Sequence, residues 1–282
     1  MASVLVKIKS RALGDNIGAV PCIEEWRKRT GNRIFVLSAW KRILSKSYPN
    51  LIFIDDESVA SAWDRTLEID YRFDLPLQTG FANALGMEEW QYVRPKVDPT
   101  GGVRPIKAKY VTLGIQSTAQ CKYWNFPDGW NLLSKELRKL GVTPVCVDQY
   151  ESFGIDGHFN LVPRAAVRRL NNPIEGTINY LEHAEFHIGI SSGLSWVAHA
   201  LGKRVVMISG ATSIDNEFSE DCVRLINTQV CHGCINEPKK HPFNPKDWLW
   251  CPVHRGTDRQ FECTKEISPA NVIKAIVEAG WI

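Results

Sequence analysis

FHIGISSGLSWVAHALGK, residues 186–203, decides how the chain folds. Phe186–Ile190 is a short apolar run of strand length, Ser191-Ser192-Gly193 breaks it, and from Leu194 the apolar spacing becomes helical. A strand that passes through a short turn straight into a helix is half of a βαβ unit, and predicts a parallel sheet covered by helices. At the start of that helix the backbone N–H groups of Gly193, Leu194 and Ser195 lack intrahelical partners and sit at the positive end of the helix dipole, which makes them a site for a pyrophosphate. The lysine pattern of a P-loop is missing, which argues against that class of ATPase. His199, on the same helix, reads as a packed or capping residue.

The same alternation extends in both directions. Val4–Ile8, Arg33–Leu37 and Leu51–Ile54 read as buried strands, with a helical stretch at Val20–Lys28. A second series opens with Tyr110–Ile115 and continues through a helix at Trp130–Leu140, stopped by Gly141, to strands at Thr143–Val147 and Val205–Ile208. Between the series lies VRPKVDPTGGVRPIK, residues 93–107, whose prolines 95, 99 and 105 and paired glycines fit neither period. The expected organisation is α/β with two Rossmann-like lobes, 1–98 and 99–282. The second lobe includes a cysteine-rich insert at 231–263 and a C-terminal helix at 269–279 that packs back across the lobe boundary.

With 282 residues, 44% hydrophobic and 23% charged, the chain has a globular composition. Its net charge of +3 suits an anionic ligand and is too small to argue for nucleic-acid binding. MASVLVKIKSRALGDN has no signal-peptide core, and no window of the chain is apolar enough to span a membrane, so a cytoplasmic setting with reduced thiols is expected.

Three polar loops follow predicted strands. In RALGDNIGAVP, residues 11–21, Gly14 and Gly18 let the backbone turn and come close to a ligand. Asp15 in that loop is either a helix cap or a general base for an acceptor hydroxyl. In GIQSTAQCKYWN, residues 114–125, Ser117, Thr118 and Gln120 offer hydrogen bonds to phosphate or sugar oxygens, and Lys122 offers a charge for a diphosphate. The plainer reading is a solvated lysine on a polar loop, with Trp124 in the core. SGATSIDNEF, residues 209–218, brings a third loop to the same edge.

Half of the eight cysteines, Cys231, Cys234, Cys251 and Cys263, are spaced C-x2-C-x16-C-x11-C. In a reducing compartment this reads as a metal knot rather than as disulfides. Four thiolates suit zinc or iron, and chemistry alone favours zinc. A closed shell leaves no open coordination position, so the role is structural: the metal supplies the stability that an insert broken by prolines 238, 242, 245 and 252 lacks. His232, His241 and His254 read as surface residues. Cys22, Cys121, Cys146 and Cys222 read as scattered buried thiols.

Taken in order, LGDNIGAVPCIEEWRKR, QSTAQCKYWNFPDGW, ISSGLSWVAHALGKRVVMISG and VCHGC…WLWCP…FECTKEISP resemble the bacterial autotransporter heptosyltransferases, over about residues 4–275. The resemblance implies a GT-B fold with an activated sugar held in a central cleft. It implies Asp15 as the base, and Lys122 on the diphosphate with Gly14, Gln116, Ser117 and Thr118 nearby. Gly193, Leu194 and Ser195 would bind phosphate through backbone amides. The implied reaction is an inverting transfer of heptose from a nucleoside diphosphate donor to a macromolecular hydroxyl, protein serine first, with iron at Cys231, Cys234, Cys251 and Cys263 and a homo-oligomer among the partners. The family carries an additional N-terminal domain, which is expected to be missing because the first strand begins at residue 4.

Two other functions fit parts of the sequence. One is a phage-type transfer of a sugar such as arabinose or glucose to hydroxymethylcytosine in DNA, with Arg164, Arg168, Arg169 and Lys239–Lys240 on the phosphates; these charges read more readily as a solvated surface. The other is a metal-knuckle binding protein without catalysis, against which the presence of both Asp15 and Lys122 argues.

Overall fold

Residues 1–57, 63–155 and 158–282 are described by a computed structural model. Strands β1 (Ser3–Ile8), β2 (Arg33–Leu37), β3 (Ile52–Ile54) and β4 (Arg65–Ile69) form an all-parallel sheet in the order β3-β2-β1-β4. Helices α1 (Leu13–Thr30), α2 (Lys41–Leu44) and α3 (Leu77–Ala84) belong to this half. The second half contains β5 (Tyr110–Gly114), β6 (Thr143–Cys146), an antiparallel hairpin of β7 (Ser152–Ile155) and β8 (His158–Leu161), β9 (Val167–Arg168), β10 (His187–Ile190), β11 (Val205–Ile208) and β12 (Cys222–Leu225). All but the hairpin form a six-stranded parallel sheet in the order β12-β11-β10-β5-β6-β9. Helices α4 (Gly129–Lys139), α5 (Ile174–His183), α6 (Gly193–Ala200), α7 (Glu262–Lys265) and α8 (Pro269–Glu278) complete it. Every residue of β5, β10 and β11 is buried, as covering both faces of a parallel sheet requires.

The helix expected at Val20–Lys28 begins earlier, at Leu13, and runs through Pro21. Proline removes the bond that its N–H would make to the carbonyl four residues back. Burial offsets the loss: Ile17, Val20, Ile23 and Trp26 all enter the core, at roughly 1.5–3 kcal/mol for each fully buried large side chain. The helix ends where Gly31 turns left-handed at φ 67° and its N–H bonds the Arg27 carbonyl.

The lobes share one core. Trp196, Val197 and Ala198 of α6, in the second half, pack in the same cluster as Ile17 and Val20 of α1 and Phe81 of α3 in the first. Two glycines make this approach possible. A Cβ on Gly14 would lie 2.8 Å from Trp196 Cδ1, and one on Gly193 would lie 2.8 Å from Leu13 Cβ. Helix α8 does not pack back across the lobe boundary as expected. Capped by the reciprocal Ser268–Asn271 box, it buries Val272 and Ile276 with Leu133 and Leu137 of α4, inside the second half.

Candidate active site and thiol cluster

Loops leaving the C-terminal ends of β1, β4, β5, β6, β10 and β11 carry the site, the edge at which open parallel sheets hold ligands. Asp15 lies in the first turn of α1. That helix has no side-chain cap at Ala12; the Asp15 carboxylate instead accepts from Ser10 Oγ at 2.5 Å. Asn16, only 1% exposed, fixes the loop around it by donating to the carbonyls of Ser10 and Ala12, both at 2.9 Å, and accepting from Ser38 Oγ at 2.8 Å. Burial raises the Asp15 carboxyl above the usual range. The Ser10 bond and the Lys122 cation pull it down, and Asp70 and Glu217 push it up. The Lys122 cation of the second lobe therefore acts on the Asp15 carboxyl of the first.

The loop after β5 hangs on Asp148, which the sequence reading passed over. Its buried carboxylate accepts from the Ile115 N–H at 2.6 Å and the Gln116 N–H at 3.3 Å. Burial pushes this carboxyl up to about 6 despite those bonds. An acidic residue closing the apolar VCVD run was the signal available for it. Gln116 spends its amide on Tyr150, donating to its carbonyl at 2.5 Å and accepting from its N–H at 3.3 Å. The Ser117 carbonyl accepts from Tyr123 Oη at 3.0 Å, and the Thr118 side chain is exposed. Half-buried Lys122 ends a single 3-10 turn, Gln120–Lys122. Gln120 holds that turn, accepting from Trp248 Nε1 at 3.1 Å and donating to Asn125 Oδ1 at 2.7 Å.

At the start of α6 the N-cap Ser192 makes no capping bond, and its buried hydroxyl has no partner among the described residues. Ser195 is fully buried and donates its hydroxyl to the Ile190 carbonyl at 2.7 Å, so what it offers a ligand is its backbone N–H. Gly193 and Gly14 use their open faces for the contact between lobes described above. His199 is packed, stacked on Phe218 at 3.8 Å with Nε2 2.7 Å from Tyr92 Oη. Glu217, unremarked in the sequence, is buried beside the site. It pairs with Arg224 at 2.7 Å and accepts from Ser191 Oγ and, at 3.0 Å, from Asn216 Nδ2.

The four insert cysteines lie near one another, but among the described residues only Cys231 of the four falls in a group of three ligand atoms within 4.8 Å, the one it forms with His254 and Glu262. Burial first, and then Cys231, Cys234 and Cys251, raise the Cys263 thiol; burial, and then Cys231 and Cys251, raise Cys234; and none is in a disulfide. His254 Nε2 is 3.2 Å from Glu262. His254 is therefore not the surface residue expected, because its ring turns inward to a buried carboxylate. Nor is Cys121 a scattered thiol. It packs with Cys251, Ile235, Trp250 and Phe261 in the core of the insert, one residue from Lys122. Clustered thiols free of disulfides, with an imidazole and a carboxylate at their edge, are a donor set that fits a thiophilic metal. Of the basic residues considered for DNA phosphates, Arg168 is paired with Glu151 and Lys240 with Glu237.

No protein-family model matches the chain. It is 34% identical over 290 residues to the autotransporter heptosyltransferase BAHTCr of Citrobacter rodentium, an alignment covering 95% of this chain and 69% of BAHTCr. It is 40% identical over 170 residues to the autotransporter heptosyltransferase TibC of Escherichia coli O78:H11, covering 60% of this chain and 41% of TibC. Much of each curated relative thus lies outside the matched region. The crystal structure of TibC, described as a bacterial iron-containing dodecameric glycosyltransferase, superposes with a TM-score of 0.92 at 30% identity, over 99% of this chain and 76% of that one. The E. coli ADP-heptose lipopolysaccharide heptosyltransferase II shares the fold alone, at a TM-score of 0.64 and 12% identity over 99% of this chain and 98% of its own.

Proposed function

The chain belongs to the autotransporter heptosyltransferases, a GT-B family, and from that premise we propose that it transfers heptose from ADP-heptose to a serine hydroxyl of a protein, with inversion at the anomeric carbon. The observation that carries the reading is the effect of the Lys122 cation, in the second lobe, on Asp15 of the first, a half-buried carboxylate to which desolvation gives a raised affinity for protons. TibC has a solved complex with ADP-D-β-D-heptose, which supports the donor.

In this reaction Asp15 takes the proton of the acceptor hydroxyl while the oxygen attacks the anomeric carbon. The bond from that carbon to the diphosphate oxygen breaks on the opposite side, and ADP leaves with the bonding pair. Lys122 and the N–H groups of Gly193, Leu194 and Ser195 balance the charge that develops there. Ser117 and Thr118 border the donor, and Gln116 shapes their loop through Tyr150. Cys231, Cys234, Cys251 and Cys263 would hold iron, with His254 and Glu262 beside them, and the ion would supply structural cross-linking alone. The compartment we infer is the cytoplasm, where clustered thiols stay reduced. Assembly of the chain as a homo-oligomer follows the dodecamer described for TibC.

Nuclear magnetic resonance of the glycosylated product tests the reaction. An anomeric configuration opposite to that of the donor supports direct displacement, and retention refutes it.

A further inference from the structure

The cysteine insert is hydrogen-bonded to the junction of the lobes at Asn236. Asn236, two residues after Cys234, closes the 3-10 turn Cys234–Asn236. Its Nδ2 donates to the Phe73 carbonyl of the first lobe at 2.8 Å and to Asn216 Oδ1 at 2.7 Å, and its Oδ1 accepts from the Ser213 N–H at 2.8 Å. Asn216 extends the connection in two directions. Its carbonyl accepts from the Leu77 N–H at the start of α3 at 2.9 Å, and its own amide bonds Glu217, one of the carboxylates acting on Asp15. Beside this network the Phe73 and Phe243 rings lie 5.6 Å apart, a second contact between the insert and the first lobe.

The insert has little regular structure to hold Asn236 in place. Between Cys234 and Glu262 the described secondary structure is that single turn, so the position of Asn236 depends on what fixes the thiols. The residues around the thiols fit a metal, as shown above, and a metal at Cys234 would anchor the turn from two residues away.

We propose that Asn236 is a positioning residue that transmits the fold of the metal-bound insert to the junction of the lobes, fixing residues 71–77 of the first lobe and the loop 213–217 relative to each other. Its amide uses all three bonds on backbone and side-chain groups of other segments, and so acts through them without touching substrate.

Hydrogen exchange of the full chain, with metal content measured alongside, tests this. Asn236→Ala should keep its metal and speed exchange at the Leu77 and Ser213 amides by about tenfold, the size expected for one lost hydrogen bond. Asn236→Asp separates the two connections. A carboxylate still accepts from Ser213 but cannot donate to Phe73, so residues 71–77 should loosen while Ser213 stays protected. Removing the metal from the parent protein with a chelator should loosen both segments, and should add little in Asn236→Ala, since the two perturbations act through one connection. Residues 71–77 exchanging at the parent rate in Asn236→Ala, or metal removal loosening the insert alone, would overturn the proposal. A kinetic arm rests on the heptosyl-transfer reading: Asn236→Ala should keep its donor KM and lose turnover. A parent protein without transferase activity removes that arm and leaves exchange to decide.

Discussion

Asp15 and Lys122 follow strands of different sheets in different lobes, yet the Lys122 cation acts on the half-buried Asp15 carboxyl. The proposed site therefore draws on both lobes.

Asp15→Asn should leave donor affinity unchanged in calorimetry and lower transfer by about two to four orders of magnitude, the range for a lost general base. Parent-like transfer would reduce Asp15 to a residue that merely bonds Ser10.

Lys122→Met should weaken donor binding as well as turnover, because the cation meets the diphosphate before and during bond cleavage. Calorimetry showing parent affinity would remove Lys122 from the donor site.

The pH profile follows from the groups around Asp15. A base works when ionised, so transfer falls as pH drops through its pKa, and burial places that acid limb above the usual carboxylate range. Lys122 lowers this pKa and Glu217 raises it, so the limb should move to higher pH in Lys122→Met and to lower pH in Glu217→Gln. A profile of kcat/KM for the three proteins checks both signs; limbs that coincide would separate Asp15 from the rate.

Asp148 gives a stability prediction of the opposite kind from a salt-bridged carboxylate. Its folded pKa of about 6 lies above the ordinary 3.8, so its contribution is present below the lower value and lost as pH rises through the upper. About two pKa units correspond to roughly 3 kcal/mol. Urea unfolding from pH 4 to pH 7 should show a decline of that order in the parent and a flatter course in Asp148→Asn.

Cys251→Ser should lower metal content and thermal stability together, since the insert has little other means of holding its fold. Metal analysis with a thiol count under denaturing conditions decides the point. Metal bound with all thiols free supports the cluster, and disulfides without metal would refute it.

The alternating apolar runs made the parallel sheets legible, because strands buried on both faces are apolar throughout, as in β5, β10 and β11. The edge strand β4, RTLEI, escaped because most of its residues are not buried and its sequence is half polar. Helix α1 was read too short because Gly14, Gly18 and Pro21 disfavour helix locally, while its packing against α6 from residues far along the chain decides the matter. Asp15, Lys122 and the four cysteines stood out as chemically distinctive residues after strands or at fixed spacing. Asn16, Asp148, Glu217 and Asn236 did not, because their importance lies in bonds to residues 22 to 163 positions away.

The most direct test of the central claim is the intact mass of acceptors after incubation with the purified chain and ADP-heptose. The account predicts that a serine-bearing autotransporter passenger protein gains heptosyl residues, that hydroxymethylated DNA gains none, and that Asp15→Asn abolishes the gain. A passenger left unmodified while the DNA is glycosylated, or equal modification by Asp15→Asn, would contradict it.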